Sequence, residues 1–371
     1  MTVNAGSTSV KLGAFDIADG EPRELVRERR AGRELDAASV LREFANRFDT
    51  KKLAAIAHRV VHGGTQFVEP AWIDAPVERT LVELGKLAPL HNPVALAWIA
   101  AARAAFAPHV GHVAVFDTAF FARLPPRAAH YAIPASIGAE LGVRRYGFHG
   151  LAHEAMWSRW CELRPDLERG GRLITLQLGG GCSIAAIDRG QPIDTSMGFT
   201  PLEGLVMATR AGDIDASVVP YLAARLGESS ARVIERLNSE SGLLGTSGRS
   251  SEMSELIHDP SPAARLAVEM FCVRARKYVG AYLALLGGCD GIVFGGGIGE
   301  NVPEVRARIV GGMEWAGIVL DARANADARG VEACIGRHPR PIGIHVIAVD
   351  EERALARGAR LALSRRAASA P

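Results

Sequence analysis

Two arginines of this chain stand where a cation needs a reason. Arg59 interrupts the apolar run from Leu53 to Val61. A lone charge buried in such a strand is expensive, so Arg59 is expected either to be paired in the core or to face a cleft that holds an anion. Arg210 is the single cation between Asp194 and Asp215, a stretch with three glycines, one proline, four hydroxyl side chains and four carboxylates. Neither a two-residue nor a 3.6-residue period runs through it. Long irregular polar segments inside a compact chain are usually functional loops, although a plain surface loop would read the same. Asp117 follows the apolar run Val113 to Phe116, the usual place for an α/β active-site carboxylate. His149 sits in the glycine-flanked turn Tyr146-Gly147-Phe148-His149-Gly150, and His91 is held between Pro89 and Pro93. Each histidine alone is an ordinary structural residue. Two guanidinium groups, two imidazoles and a carboxylate together suit phosphoryl transfer, where catalysis is mostly positioning and neutralisation of charge.

Three glycine-rich segments point the same way. Gly6-Ser7-Thr8-Ser9-Val10-Lys11-Leu12 is echoed by Gly180-Gly181-Cys182-Ser183-Ile184-Ala185-Ala186, each between two β-type runs, as in a hairpin repeated in a duplicated domain. A third, Gly295-Gly296-Gly297-Ile298-Gly299-Glu300-Asn301, reads as a turn ahead of a helix at Pro303. Glycine turns let backbone N–H groups approach a phosphate, and three of them suggest a polyphosphate ligand. Any one alone is better explained as a tight turn needing positive φ. Neither a Gly-x-Gly-x-x-Gly fingerprint nor a Gly-Lys-Ser/Thr loop is present.

The elements that must carry these residues alternate. Strands are expected at Leu53–Val61, Val113–Phe116, Leu173–Leu178, Gly291–Phe294 and Gly343–Val349, and helices at Asp36–Phe48, Pro93–Phe106, Pro262–Leu286 and Glu351–Leu363, the pattern of an α/β protein. The chain has 371 residues, 48% hydrophobic and 23% charged, with a formal charge of +2. That is enough for two cores and gives no reason to expect a nucleic-acid or membrane partner. The basic clusters Arg27 to Arg30 and Arg357 to Arg366 read as solvated faces, and the apolar run Tyr278 to Cys289 is stopped by Asp290. With no signal-peptide pattern and five scattered cysteines lacking a Cys-x-x-Cys pair, reduced thiols and a cytoplasmic location are expected. His149 and His153 are four apart but lack a His-Glu-x-x-His frame, so a metal site there is not expected.

The blocks Asn4 to Ser7, His58 to Gly64, Leu87 to Pro93, Phe116 to Phe120, Tyr146 to Gly150, Asp194 to Asp215, Ser241 to Ser251, Gly297 to Asn301 and Asp350 to Glu352 resemble, in order and spacing, the acetate kinase (acetokinase) family of the sugar-kinase, Hsp70 and actin superfamily. The resemblance implies an α/β fold of duplicated ribonuclease-H-like (actin-like ATPase) domains, mixed sheets flanked by helices, with the active cleft between them. Residues 1–119 and 353–371 would form the first domain and 120–352 the second, nucleotide-binding one. It implies reversible, Mg²⁺- or Mn²⁺-dependent transfer of the ATP γ-phosphoryl to a short-chain carboxylate, giving an acyl phosphate and ADP, by a homodimer.

By the same resemblance Arg59 and Arg210 would bind the carboxylate and the phosphoryl group. His149 would stabilise the planar phosphoryl, and Asp117 would help to hold the metal and orient the acceptor. Asn4 and Glu351 would lie on the metal side. Val61, Leu90, Phe148 and Pro201 would wall the alkyl pocket, with His91 at its end. Ser7, Lys11, Gln177, Gly179, Gly180, Gly181, Glu252, Met253, Ser254, Gly297, Ile298, Gly299, Glu300 and Asn301 would line the nucleotide. The valine and leucine favour acetate or propionate, and one methylene, worth ~1–3 kcal/mol, leaves those two undecided.

Two blocks depart from the family pattern. Gln177-Leu178-Gly179-Gly180-Gly181 stands for His-Leu-Gly-Asn-Gly, and Glu252-Met253-Ser254 for Asp-Phe-Arg. These leave open another phosphoryl donor such as GTP or pyrophosphate, a longer acid as in butyrate kinase, or a non-catalytic paralogue that binds acyl phosphate or nucleotide. Only three residues precede Asn4, fewer than a first core strand normally has, so the natural start is expected a few codons upstream. A native mass equal to that of the 371-residue chain would refute this.

Overall fold

The computed structural model describes residues 1–6, 9–18, 20–32, 35–89, 91–337 and 342–368; Ser7 and Leu90 lie outside them. The chain divides into two compact units: Met1–Ala122 with Phe148–Ala155 and Asp350–Pro371, and Arg123–Gly147 with Met156–Val349. The segment 148–155 thus groups with the first unit, a return absent from the division drawn from the sequence.

Each unit is built on one six-stranded mixed sheet. In the first, β1 (Thr2–Ala5), β2 (Ser9–Asp16), β3 (Arg23–Ala31), β4 (Ala55–Val60), β5 (Ala71–Trp72) and β6 (Gly111–Phe116) lie in the order β3-β2-β1-β4-β6-β5. In the second, β7 (Arg172–Leu178), β8 (Cys182–Asp188), β9 (Gln191–Thr195), β10 (Gly291–Gly295), β11 (Ala333–Cys334) and β12 (Gly343–Val346) lie in the order β9-β8-β7-β10-β12-β11. The orders correspond strand for strand. So do the directions: β1–β2–β3 and β7–β8–β9 are antiparallel meanders, β1–β4–β6 and β7–β10–β12 are parallel, and β5 and β11 close the far edges antiparallel. The glycine echo therefore marks the first hairpin of each repeat.

The helix ends follow local chemistry. Asp36 accepts from Ala38 N–H and starts Ala37–Ala45, and Asp74 accepts from Val77 N–H and starts Ala75–Leu84. Ser261 accepts from Ala264 N–H at 3.3 Å, Pro262 fills the first turn, and Gly287, at φ 65°, ends the 25-residue helix Pro262–Leu286 where the sequence predicts it. The last helix runs past Leu363 to Ala368 because no glycine or proline stops it. The third glycine segment is not a turn. Gly296–Asn301 is a short helix, closed by Glu300 Oε1 accepting from Gly296 N–H at 2.9 Å and by Asn301 Nδ2 donating to Gly297 O at 2.9 Å. Among the described residues no helix is long and apolar enough to cross a membrane, and all five cysteines are free.

The first sheet is covered on one face by Leu355, Ala359 and Ala362 of the helix Glu351–Ala368, packed on Ala55, Ala57, Val113 and Val115. Val3, Val10, Leu12 and Ile56 pack with Phe44 and Trp98 from two other helices. In the second unit the fully buried Trp160 lies against Gly291 and Gly343, where a Cβ on either would strike its ring, and donates from Nε1 to Gly170 O at 2.9 Å.

The first unit also buries four histidines. His58 Nε2 and His112 Nδ1 are 3.0 Å apart in stacked rings. His62 is enclosed, and His153 meets Phe121 edge-on. Burial pushes His62 and His112 down to about 4, and His58 and His153 well below their ordinary value. The unfolded chain therefore takes up protons below about pH 6.5 that the folded unit refuses until about pH 4. Stability is unaffected by these groups at pH 7 and falls as the pH drops through that window, by up to about 2 kcal/mol per histidine at pH 5. We expect urea unfolding to show a steep loss of stability between pH 7 and pH 5, and His112→Gln to shed part of it. Equal pH dependence in the two proteins would refute the assignment.

Candidate functional site

The first unit gathers its predicted polar residues around the ends of β1, β4 and β6 and the start of the helix Glu351–Ala368. Arg59 on β4 and Asp117, just beyond β6, form a double contact: Nε donates to Oδ1 at 3.0 Å and Nη2 to Oδ2 at 2.6 Å. The parallel register sets Arg59 beside Val115, two residues before Asp117. Arg59 Nη1 also reaches Asn4 Oδ1 at 3.4 Å, and Asn4 Nδ2 donates to Glu351 Oε2 at 2.7 Å and Glu352 Oε1 at 2.9 Å. Lys11, opposite Asn4 on the hairpin, stands 3.8 Å from both glutamates. Arg27 on β3 grips Asp350 through Nη2 at 2.8 and 2.9 Å and lies 3.6 Å from Glu352. Burial works against charge on Arg59, but Asp117 and Glu351 outweigh it and its pKa rises. Burial pushes the Asp117 carboxyl up despite Arg59. For Glu351, Arg59 and Lys11 overcome burial and the net direction is down.

Among the described residues no three His, Cys, Asp or Glu side chains form a ready-made metal cage. Magnesium, however, typically takes only one or two carboxylates, the rest being waters and phosphate oxygens. The hard oxygens of Glu351, Glu352 and Asn4 fit that chemistry. With every group ionised, five carboxylates (Glu24, Asp117, Asp350, Glu351, Glu352) face four cations (Lys11, Arg27, Arg59, Arg353), leaving one net negative charge among them.

His149 takes the left-handed conformation, φ 57°, immediately before the helix Gly150–Leu163, and is half-buried. Gly150 N–H donates to Asp117 O at 2.9 Å, an approach so close that any Cβ at Gly150 would collide with that carbonyl. The glycine is what lets the backbone next to His149 sit against Asp117. Val61 and Phe148 are buried, and His91 is half-buried at the N-terminus of the helix Asn92–Ala105. The end of β4 is fixed by residues that the sequence reading passes over: Asn92 exchanges two hydrogen bonds with the His62 backbone, 3.0 and 3.1 Å, and Thr118 Oγ1 accepts from Gly63 N–H at 2.9 Å. Both lie inside quoted motifs, Leu87 to Pro93 and Phe116 to Phe120, yet neither residue type signals a clasp.

In the second unit the Asp194 to Asp215 strip begins with the last two residues of β9 and runs on as irregular chain toward the helix Val218–Leu226. It is tied down at many points. Gly204 N–H donates to Asp213 Oδ1 at 2.9 Å, Tyr278 OH to Asp213 Oδ2 at 2.8 Å, and Arg274 Nη1 to Gly204 O at 3.0 Å. Arg210 Nη1 donates to Pro201 O at 3.2 Å, and Met207 N–H to Arg210 O at 3.1 Å, so these predicted residues meet. Ala208 N–H donates to Gly180 O at 3.2 Å, joining the strip to the glycine hairpin between β7 and β8.

That hairpin is closed by Gly179 N–H donating to Gly181 O at 3.1 Å, with Gly180 exposed. Gln177 beside it has its Nε2 against Gly296, and its Oε1 is buried with no hydrogen bond among the described residues. The helix Gly296–Asn301 lies along β7, its C-terminal carbonyls Gly299 O and Glu300 O taken by Arg306 Nη1 at 2.7 and 3.1 Å. Arg306 is fully buried with no carboxylate partner among the described residues, and burial lowers it to about 10. Sequence reasoning has no signal for this residue, since its acceptors are backbone and amide oxygens. Of Glu252-Met253-Ser254, Met253 is buried at the start of the helix Met253–Leu256. Arg59, Asp117, Asn4, Glu351, Lys11, Val61, Phe148, His149 and His91 thus belong to the first unit. Arg210, Pro201, Gln177, the glycines and residues 252–254 and 297–301 belong to the second.

Residues 26–357 match the model of the Acetokinase family. An acetate kinase of Solibacter usitatus is 47% identical over 308 residues, 82% of this chain and 74% of the relative. Among solved structures, Porphyromonas gingivalis acetate kinase superposes with a TM-score of 0.85 at 36% identity, covering 98% of each chain. A propionate kinase from Francisella tularensis does so with 0.86 at 34% identity, covering 96% of this chain and 97% of that one. Duplicated mixed-sheet units carrying this set of residues, matched over nine-tenths of the sequence, place the chain in the acetokinase family.

Proposed function

We propose that the protein catalyses reversible transfer of the γ-phosphoryl group of ATP to acetate or propionate, forming acyl phosphate and ADP by direct in-line displacement, and that it works as a homodimer. The observation that carries this reading is the network around Arg59. A guanidinium anchored on one edge by Asp117 keeps planar donors for a carboxylate or phosphoryl oxygen, in a setting of surplus negative charge suited to a divalent cation. A binding module without chemistry would have no use for that arrangement, and no observation favours the reading.

In this mechanism Arg59 and Arg210 bind and orient the carboxylate and the transferring group. Val61, Phe148 and Pro201 confine the alkyl end. His149, fixed at the head of its helix, donates to an equatorial phosphoryl oxygen. Glu351, with Asn4 and Asp117 beside it, would hold Mg²⁺ or Mn²⁺, which when bound neutralises charge on the phosphate oxygens. The hairpin Gly179–Gly181 and Gly297 at the head of its short helix offer backbone N–H groups to the nucleotide phosphates. Gln177 takes the adjoining polar position.

Three outcomes test the reading. Hydroxamate trapping should detect acyl phosphate with ATP, Mg²⁺ and acetate or propionate, and butyrate should react far more slowly; turnover no faster than that of Arg210→Ala would refute it. Arg59→Ala should abolish activity and also cost roughly 3–5 kcal/mol of stability in urea unfolding, because it strands buried Asp117, whereas Arg210→Ala should stay within about 1 kcal/mol of the parent. Glu351→Gln should raise the Mg²⁺ concentration needed for half-maximal rate at least tenfold with little change in the acetate KM; an unchanged metal requirement would remove Glu351 from the metal side.

A further inference from the structure

The segment Gly198-Phe199-Thr200-Pro201 owes its place to three side chains outside the site so far described. Glu203 folds its carboxylate back beneath Gly198. Arg145 Nη2 donates to Glu203 Oε1 at 2.6 Å, and Tyr131 OH donates to Glu203 Oε2. An ionised carboxylate can only accept, so the single hydroxyl proton of Tyr131 is committed to Glu203. The tyrosine oxygen is then left to accept, and it does so from Phe199 N–H at 2.8 Å. Arg145 spends Nη1 on Thr195 O and Ser196 O, both 3.3 Å, and holds its guanidinium over the Tyr131 ring at 5.5 Å. A Cβ at Gly198 would overlap both Glu203 Oε2 and Tyr131 Oη, so any larger residue there would push these two groups out of place. Its carbonyl accepts from Tyr146 N–H at 3.0 Å, and the Tyr146 and Phe199 rings lie 6.2 Å apart. Two residues on, Pro201 O accepts from Arg210 Nη1.

From this chain of contacts we infer that Arg145, Glu203 and Tyr131 form a positioning triad that sets the Phe199–Pro201 bend, and through it both the alkyl discrimination of the carboxylate pocket and the aim of Arg210. The inference rests on the proposed carboxylate kinase activity and deepens it. None of the three touches the reacting atoms; they act on Pro201 through the main chain and on Arg210 through the Pro201 carbonyl. Direction matters in this relay. Removing the Tyr131 hydroxyl frees Phe199 N–H and one carboxylate oxygen together, so the bend loses its lock while every group that meets substrate is retained. Removing the Glu203 charge loosens Arg145 and reverses the preference of the tyrosine proton. A wall displaced by a fraction of an ångström is felt most by the longer alkyl chain, and a tilted guanidinium is felt in turnover.

The test is steady-state kinetics of the full-length protein, Tyr131→Phe and Glu203→Gln with acetate, propionate and butyrate, alongside thermal unfolding. We expect each variant to change the propionate-to-acetate ratio of kcat/KM at least fivefold and to lower kcat for acetate at least tenfold, with the KM for ATP unchanged within twofold. Arg145→Lys, which keeps the charge but not the fork, should recover only part of the parent ratio. A purely structural role would lower the unfolding temperature and scale all acids alike. If both substitutions leave the acid ratio within twofold of an active parent, the inference is overturned and the proposed function stands. A parent that makes no acyl phosphate from any of the acids overturns both. Should one variant fail to fold, the other decides.

Discussion

The first unit turns on one constraint: charge cannot be buried alone. Arg59 is the penultimate residue of β4, with Ala57 and Val60 around it, and its cation is tolerable only because Asp117 arrives at the end of the neighbouring parallel strand in the right register. Everything adjacent follows from that pair. Asp117, nearly closed off from solvent, needs its cation as much as the cation needs it. Asn4 fills the gap between Arg59 and the two glutamates, giving its oxygen to the guanidinium and its amide hydrogens to the carboxylates. Glu351 and Glu352 can enter the helix head because the positive end of a helix favours acidic side chains there and because Lys11 and Arg27 stand opposite. The result is a polar corner whose charged members pair with one another and leave one surplus negative charge.

The second unit solves a different problem. Beyond Thr195 its strip has no strand pairing to satisfy its backbone, and irregular chain must find partners elsewhere. It finds them in neighbouring main chain and in side chains: Ala208 and Ala211 N–H reach Gly180 O and Leu237 O, Gly204 N–H reaches Asp213, and Phe199 N–H reaches Tyr131, itself held by Glu203. Carboxylates that the sequence displays beside a lone arginine are thus largely scaffolding, and Arg210 is held by a main-chain oxygen.

The sequence made the alternation of elements legible, because strand and helix periods differ and because Ser261-Pro262 and Gly287 bracket the long helix unmistakably. Arg59 was legible as a paired or anion-facing cation because charge inside an apolar strand needs an explanation, and the structure supplies Asp117. The glycine segment after β10 was misread as a turn because glycine is a poor helix former; the Glu300 and Asn301 side chains close the turns that composition alone would forbid. Arg306, Asn92 and Tyr131 were invisible for a common reason. Their partners are backbone or distant side chains, and hydrogen bonding of that kind leaves no local pattern. The grouping of 148–155 with the first unit was equally hidden, since a single helix, Gly150–Leu163, runs through the boundary without a break in composition.

The helix Glu351–Ala368 has a consequence for the order of synthesis. It closes one face of the first sheet and supplies the two glutamates of the polar corner, yet it is made after every strand of both sheets. Strands β1 to β6 leave the ribosome early, and Ala55, Ala57, Val113 and Val115 must wait uncovered while some 230 further residues follow, roughly ten seconds or more at ordinary elongation rates. The second unit, whose final strand is complete by Val346, has all of its own parts first. The first half of the chain therefore finishes folding last, and a nascent chain stalled or cut before residue 351 would carry a finished second unit beside an open, adhesive sheet.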